Sequence, residues 1–374
     1  MQSVNLLIKP ASSLCNLRCR YCFYEDISNH RSEKSTGIMP DSVVGTLLEN
    51  VFRLVDANGA ASFAFQGGEP TLAGLPFFER FAAEARRLCP ARVSLHFSLQ
   101  TNGTLLDEDW AAFFRRQQFL VGLSLDGYKD LHNLYRVDEK GGGSWNRTVR
   151  ALRLLQKQHV MTNALCVVTA QCARHPDRAY TELKRLGFDC MQFIPCLDPI
   201  GQERGALPFS LTPERYGQFL CRLFDRWYED WANGRYHSIR LFDDYVHLLL
   251  GDPPGTCSTC GQCGGYFVVE SDGSVYPCDF FVLDQWRLGT LGRTPLAEMA
   301  AGDLLQAFFQ KGSEKPAECA GCRWRRLCGG GCKNDWVSAP DPHNYFCPAL
   351  QQFFAYAEDR LLSIAQEERI MRRR

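Results

Sequence analysis

Val4-Asn5-Leu6-Leu7-Ile8-Lys9, closed by Pro10 and followed by Cys15-Asn16-Leu17-Arg18-Cys19-Arg20-Tyr21-Cys22, is the stretch from which the fold can be read. The first part is a short apolar run of strand length, stopped by a residue that cannot donate to a ladder. The second is a C-x3-C-x2-C run on the loop that leaves this strand. Three thiolates so closely spaced can hold three irons of a 4Fe–4S cube and leave the fourth iron open, much as a catalytic zinc site keeps one position free. The plainer readings are scattered thiols or zinc, although structural zinc takes four ligands and favours C-x2-C pairs.

Working outward, the same alternation recurs. Strand-like segments at 4–9, 62–65, 93–99, 119–125, 164–168 and 191–194 are separated by helical patterns such as 42–54, 77–88, 108–116 and 144–158. Strands alternating with helices imply parallel βα units. Polar or glycine-rich clusters follow the strands, as in Gln66-Gly67-Gly68-Glu69-Pro70, Gln100-Thr101-Asn102-Gly103 and Asp126-Gly127. That is the edge where α/β barrels place their chemistry. The expected fold class is α/β, with a partial (β/α)6 barrel of TIM type over residues 1–235 ended by a helix near 211–236. Beyond Gly251-Asp252-Pro253-Pro254-Gly255 cysteines and glycines become dense. A hairpin is expected at 266–276, turning at Ser271-Asp272-Gly273. Residues 236–350 therefore read as a small metal-supported domain, and 351–374 as a closing helix.

The chain has 374 residues, 45% apolar and 22% charged, with Lys+Arg and Asp+Glu both 42. This is the composition of a globular protein with a large core. No net basic field attracts nucleic acid, and Arg372-Arg373-Arg374 reads as a solvated end. No run approaches the roughly 20 apolar residues of a membrane span, and the start lacks the features of a secretory signal, so a cytoplasmic location without membrane attachment is expected. In a reducing compartment 18 cysteines point to metal ligation rather than disulfides.

The C-x3-C-x2-C loop after strand one resembles that of the radical S-adenosylmethionine (SAM) enzymes. In that superfamily the open iron chelates SAM, and an electron from the cluster releases the 5′-deoxyadenosyl radical. Gln66, Gly67, Gly68 and Glu69 resemble the glycine-rich motif that approaches the SAM amino group. Ser124, Arg136 and Leu197 match SAM-contacting positions, and Tyr21, beside the last cysteine, joins them as a cofactor-site candidate.

The later cysteines include a C-x2-C-x5-C-x3-C block, Cys319, Cys322, Cys328 and Cys332, followed by Cys347. This block resembles the SPASM domain, which carries two auxiliary iron–sulfur clusters. The resemblance assigns Cys257, Cys263, Cys278 and Cys332 to one cluster and Cys319, Cys322, Cys328 and Cys347 to the other. With Cys15, Cys19 and Cys22 this implies three 4Fe–4S clusters. Cys260 lies between two of these ligands and could replace Cys263. Two zinc sites are the redox-silent alternative. The other six cysteines, Cys89, Cys166, Cys172, Cys190, Cys196 and Cys221, read as small core or surface residues, and the histidines show no ligand spacing.

Almost end to end, the chain is similar to the anaerobic sulfatase-maturating enzymes. The matching pieces are Leu6-Leu7-Ile8-Lys9-Pro10-Ala11-Ser12-Ser13, Phe63-Ala64-Phe65-Gln66-Gly67-Gly68-Glu69-Pro70, Ser98-Leu99-Gln100-Thr101-Asn102-Gly103-Thr104, Trp227-Tyr228-Glu229-Asp230, and Val268 through Phe280. That family converts a Cys or Ser of a sulfatase peptide to Cα-formylglycine without oxygen. The resemblance implies an unfolded sulfatase segment of the Cys/Ser-x-Pro/Ala-x-Arg kind as partner, and an electron donor such as flavodoxin or ferredoxin. Asp279 matches the family's proposed base; by position alone it could equally cap backbone N–H groups. Tyr24 and other rim residues are candidates to line a peptide groove. The rival functions are a SPASM enzyme that crosslinks or epimerises a ribosomal peptide, and a non-catalytic iron–sulfur carrier or scaffold. The first is disfavoured because the cysteine motif begins at residue 15, leaving no room for an N-terminal peptide-recognition domain.

Overall fold

The strand Ser3–Ile8 (β1) forms because Val4, Leu6 and Ile8 share one buried face, the period of two that a half-covered strand requires. In the computed structural model, which describes residues 1–337 and 343–372, Ala60–Phe65 (β2) pairs in parallel with β1. Ser94–Thr101 (β3) pairs with β2, and Leu120–Ser124 (β4) with β3. Parallel neighbours need crossover helices, here Asp41–Leu54, Leu75–Leu88 and Glu108–Gln117. The first buries Val44, Leu47, Leu48 and Val51, a single stripe at helical spacing. The second turns Phe78 and Phe81 onto the strands, where Phe81 meets Phe63 and Phe65 at ring distances of 5.3 and 4.9 Å. Edge-to-face packing of this kind adds to simple area burial.

Contacts group the chain into two units. One is Met1–Leu125 with His132–Asn163 and Gly264–Phe308; the other is Asp126–Leu131 with Ala164–Cys263 and Phe309–Arg374. The contacts therefore do not divide the chain at residue 236. In the first unit Phe267–Val269 (β8) lies parallel to β1, pairing Leu6 with Phe267 and Ile8 with Val269. Ser274–Tyr276 (β9) returns antiparallel to β8, and Gly289–Thr290 (β10) extends the ladder. The expected hairpin is present, turning at Gly273 with φ +84°, but it adds to the free edge of β1. The helix Phe23–Asn29, which the pattern did not reveal, packs Tyr24 and Ile27 against Val268, Tyr276 and Val282.

The second unit carries the remaining strands. Met161–Val168 (β5), divided between the units after Asn163, pairs its Ala164–Val168 part with Cys190–Pro195 (β6), and β6 pairs with Ser238–Ile239 (β7), all in parallel. The helix Pro213–Ala232 starts at Pro213 under a Thr212 cap and ends before Gly234, whose φ is +70°. It is shorter than the expected 211–236. The closing helix is Cys347–Arg372, four residues earlier than expected at its start, because Pro348 is tolerated within a first turn. Phe353 of this helix meets Phe224 and Phe242, and Arg360 pairs with Asp225 at 2.7 Å. Arg373 and Arg374, read from sequence as part of a solvated end, lie outside the described residues, as do residues 338–342.

The loop after β2 is held against the one after β1. Gly68 N donates to Ser12 O at 2.9 Å and Glu69 N to Leu14 O at 2.7 Å. A Cβ on Gly68 would lie 2.0 Å from the Leu14 carbonyl oxygen, so this approach requires glycine. Gly68→Ala should lower stability by about 1–3 kcal/mol, the usual cost of overpacking, read as a lower denaturant midpoint. An unchanged midpoint would show that the two loops yield.

Candidate active site

Cys15, Cys19 and Cys22 leave β1 on one loop and are each half-buried. Cys22 N donates to Cys19 O at 3.1 Å, which closes the last turn of the run. Cys22 then caps Phe23–Asn29, its sulfur accepting from Glu25 N at 3.5 Å. On its other side the loop is tied to 135–137, with Arg18 N on Val137 O at 2.6 Å and Arg20 N on Tyr135 O at 3.0 Å. Between these ties sits Arg136, buried, with its guanidinium 5.5 Å from the Tyr21 ring centre. Burial pushes the Cys15 thiol up to about 12; a hydrogen bond from Leu17 N opposes this, while Glu69, Cys19 and Cys22 add to it. Three sulfurs that feel one another on a single short loop are the donor set a three-cysteine cube needs.

The neighbouring motifs brace this loop. Asn102 Nδ2 donates to Asn16 Oδ1, and Asn16 Nδ2 to Thr104 Oγ1, both at 2.9 Å. Glu69 is fully buried, and its carboxylate accepts from Thr71 N, Thr71 Oγ1, Thr101 Oγ1 and Asn102 N at 2.6–3.1 Å. Burial raises its pKa, against which these hydrogen bonds act. The Glu69 side chain is thus committed to the protein itself. Ser124, at the end of β4, accepts from Gln100 Nε2 at 3.0 Å. Leu197 follows β6 in the second unit and is half-buried.

The β8–β9 hairpin delivers Cys278 and Asp279 to the end of β1. Asp279 is 5% exposed, and both carboxylate oxygens are held: Lys9 Nζ lies 2.5 Å from Oδ1, and Gln66 Nε2 donates to Oδ2 at 3.1 Å. Asp279 N donates to Tyr266 Oη at 3.3 Å, and that hydroxyl lies 3.6 Å from Cys278 Sγ. Lys9, wholly buried, also lies 3.6 Å above the Tyr24 ring. Tyr24 donates to Glu270, which pairs with Arg31 at 2.7 Å. Burial and then Glu270 push the Tyr24 pKa up. Tyr24 is 2% exposed; it supports Lys9 from below and does not line a groove, which corrects the sequence expectation. Sequence reasoning also missed Lys9, Arg31 and Glu270. The signal for Lys9 and Glu270 was charge beside apolar segments, after Ile8 and after Val269, whereas Arg31, between His30 and Ser32, carried none.

In the second unit Cys319, Cys322, Cys328 and Cys347 line one cavity of about 380 Å³ together with Trp324 and Phe354. His343, read as ordinary from sequence, lines it too. Burial pushes Cys328 up to about 11, with Cys347, Cys319 and Cys322 adding to it. Trp324 Nε1 is buried with no hydrogen-bond partner. A four-thiol cavity with room to spare and an unsatisfied donor on its wall fits a four-cysteine cluster. Gly329, Gly330 and Gly331 all have positive φ, at 60°, 91° and 73°, which lets the chain fold tightly between Cys328 and Cys332. Cys257 opens the single turn Cys257–Cys260. Cys260 is exposed, whereas Cys263 is half-buried, with its sulfur 2.5 Å from where Gly312 would carry a Cβ. Cys278 belongs to the first unit and Cys257, Cys263 and Cys332 to the second. Cys166, Cys172, Cys196 and Cys221 are core residues.

Comparison with known proteins matches residues 10–170 to the radical SAM superfamily and 257–323 to the SPASM iron–sulfur cluster-binding domain. A cysteine-type anaerobic sulfatase-maturating enzyme of Clostridium perfringens is 47% identical over 98% of this chain and 99% of its own length. A serine-type enzyme of Bacteroides thetaiotaomicron is 30% identical over 94% of this chain and 88% of its own. The solved structure of native anSMEcpe with bound AdoMet and Kp18Cys peptide superposes with a TM-score of 0.92 at 45% identity, covering 98% of this chain and 99% of that one. With the radical SAM α/β fold and its SPASM domain, the chain belongs to the anaerobic sulfatase-maturating enzymes.

Proposed function

We propose that this enzyme oxidises a cysteine of an unfolded sulfatase segment to Cα-formylglycine in the absence of oxygen. The observation that carries the reading is Asp279, a buried carboxylate fixed at both oxygens and directly following Cys278. The overall match to cysteine-type relatives at 47% identity, against 30% for a serine-type one, favours Cys over Ser as the target.

Making a thioaldehyde from a thiol removes two electrons and two protons, and water then replaces sulfur by oxygen, releasing hydrogen sulfide. Cys15, Cys19 and Cys22 would hold the cluster that, with SAM, would supply hydrogen-abstracting radical chemistry at Cβ, and the two auxiliary clusters would supply a place for the remaining electron. The residues of the chain do the rest. Asp279 accepts the thiol proton, and Lys9 and Gln66 hold its carboxylate in one orientation while it does so. Gln66 therefore acts through Asp279. Glu69 acts by shaping the loops that carry Gly68 and Asn102, leaving Tyr21, Gly67, Gly68, Ser124, Arg136 and Leu197 for SAM. Cys257, Cys263, Cys278 and Cys332 would hold one auxiliary cluster, and Cys319, Cys322, Cys328 and Cys347 the other. No helix among the described residues is long and apolar enough to cross a membrane. A cytoplasmic setting and a one-electron donor of the flavodoxin or ferredoxin class complete the reading.

Anaerobically reconstituted enzyme should bind about twelve irons per chain, three cubes of four. Given SAM, dithionite and a Cys-x-Pro-x-Arg peptide, it should yield the mass change of formylglycine; a crosslinked or epimerised peptide would overturn the assignment. Asp279→Asn should cut formylglycine formation roughly a hundred- to ten-thousand-fold while SAM cleavage continues. Undiminished product from that variant would remove Asp279 from the role of base.

A further inference from the structure

Outside the ion pairs of the first unit, Lys315 stands among the cysteines of the second. Lys315 lies in the short connection between Asp303–Ser313 and Ala317–Cys319 and is half-buried. Its Nζ donates to Gly312 O at 3.0 Å and lies 4.5 Å from the Trp336 ring centre. Both anchors are bound up with the cysteines. Gly312 is the residue whose Cβ would reach Cys263 Sγ. On the other side the Lys315 stem runs along Gly330, where a Cβ would meet Cδ at 2.8 Å and Nζ at 3.4 Å; Gly330 lies in the turn between Cys328 and Cys332. Burial draws the Lys315 pKa down, and Cys263, Cys319, Cys328 and Cys332 push it back. Cys263 and Cys332 fall in one proposed ligand set, Cys319 and Cys328 in the other. Lys333 also acts on Cys263 and Arg325 on Cys319.

We infer that the Lys315 ammonium is a shared positioning charge for the two auxiliary cluster sites, raising the reduction potential of both so that each accepts an electron more readily. The inference rests on the ligand sets of the proposed function. Its physics is that of any fixed charge in a partly buried site: a cation stabilises the form with one more negative charge, and low polarity lengthens its reach. Cluster potentials respond to net charge and hydrogen bonds around the sulfurs in the same way. The electron concerned leaves the substrate, which is oxidised, and enters an auxiliary cluster, which is reduced. Lys315 forms and breaks no bond. Its hydrogen bond to Gly312 and its stack on Trp336 fix the charge in place, and the glycines beside it leave room for the stem.

The test is a redox titration followed by electron paramagnetic resonance. It uses the reconstituted full chain, and the same chain with Cys15, Cys19 and Cys22 replaced by Ala so that only the auxiliary signals remain. Lys315→Met keeps the stem and removes the charge. It should shift both auxiliary midpoints to more negative potential at unchanged iron content, and Lys315→Arg should restore them. Midpoints that coincide with those of the parent would overturn the inference. Should Lys315→Met bind less iron, Lys315→Arg is compared with Lys315→Gln in the fraction that retains full cluster signal, and equal potentials again overturn it. A parent enzyme holding only about four irons would instead sink the proposed cluster assignment, so the two failures are distinguishable.

Discussion

The contact between Lys9 and Asp279 organises the first unit. A lysine with no exposed surface is tolerated only with a partner and with its remaining protons occupied. Here the carboxylate of Asp279 lies at 2.5 Å and the face of Tyr24 at 3.6 Å. Removing either charge would strand the other in the interior, at a cost of about 3–5 kcal/mol. The contact exists only because β8 lies beside β1. Lys9 N donates to Val269 O at 2.9 Å, continuing the β1–β8 ladder past its last paired residue. Residues some 270 positions apart are thus placed together by backbone hydrogen bonds before any side-chain chemistry is considered.

A second pair, Arg31 with Glu270, also lies against Tyr24. The four groups comprise two cations and two anions around one phenol, so the buried cluster has no formal excess of charge. Burial alone would lower the Arg31 pKa, but Tyr24 and Glu270 outweigh it. The arrangement holds Tyr24 rigidly under Lys9, and Lys9 rigidly on Asp279. A flexible lysine would leave the carboxylate free to rotate; pinned as it is, Asp279 presents one orientation. This is the preorganisation that the proposed role of base would require.

Much of this architecture is legible in the sequence. The six strands expected from apolar runs coincide with β1 to β6 within a few residues, because each has a buried face and a polar cluster after it. The loop motifs were legible as chemistry, but the structure shows that several of their side chains brace the cysteine loop: Glu69 turns inward to Thr71, Thr101 and Asn102, and Asn102 reaches Asn16. The place of β8 was not legible. All three of its residues are buried, so it shows no alternation, and nothing local marks which edge a three-residue strand will join. Phe23–Asn29 escaped notice because seven residues carry too little periodicity. The burial of Tyr24 was not legible, because it comes from tertiary neighbours, Val268 and Tyr276 of the hairpin and Glu270 on its hydroxyl.

Cys278 and Asp279 are adjacent, yet their side chains are turned to different tasks. The backbone at Cys278 is extended, with φ −163° and ψ 147°, and in an extended chain successive side chains point to opposite sides. The thiol accordingly faces the Tyr266 hydroxyl, while the carboxylate faces Lys9 and Gln66. Under the proposed function these two positions receive what the substrate thiol loses, the proton at Asp279 and the electron at the cluster that Cys278 helps to hold. One peptide unit then separates the two acceptors. They are close enough for both losses to occur from a single bound substrate, and the oxygens that take the proton are kept on the side of the backbone away from the sulfur that binds iron. The extended residue Cys278 leads directly into the single turn Asp279–Phe281, so the change of side falls between the two residues, which is why an aspartate immediately after the cysteine suits the proposed chemistry.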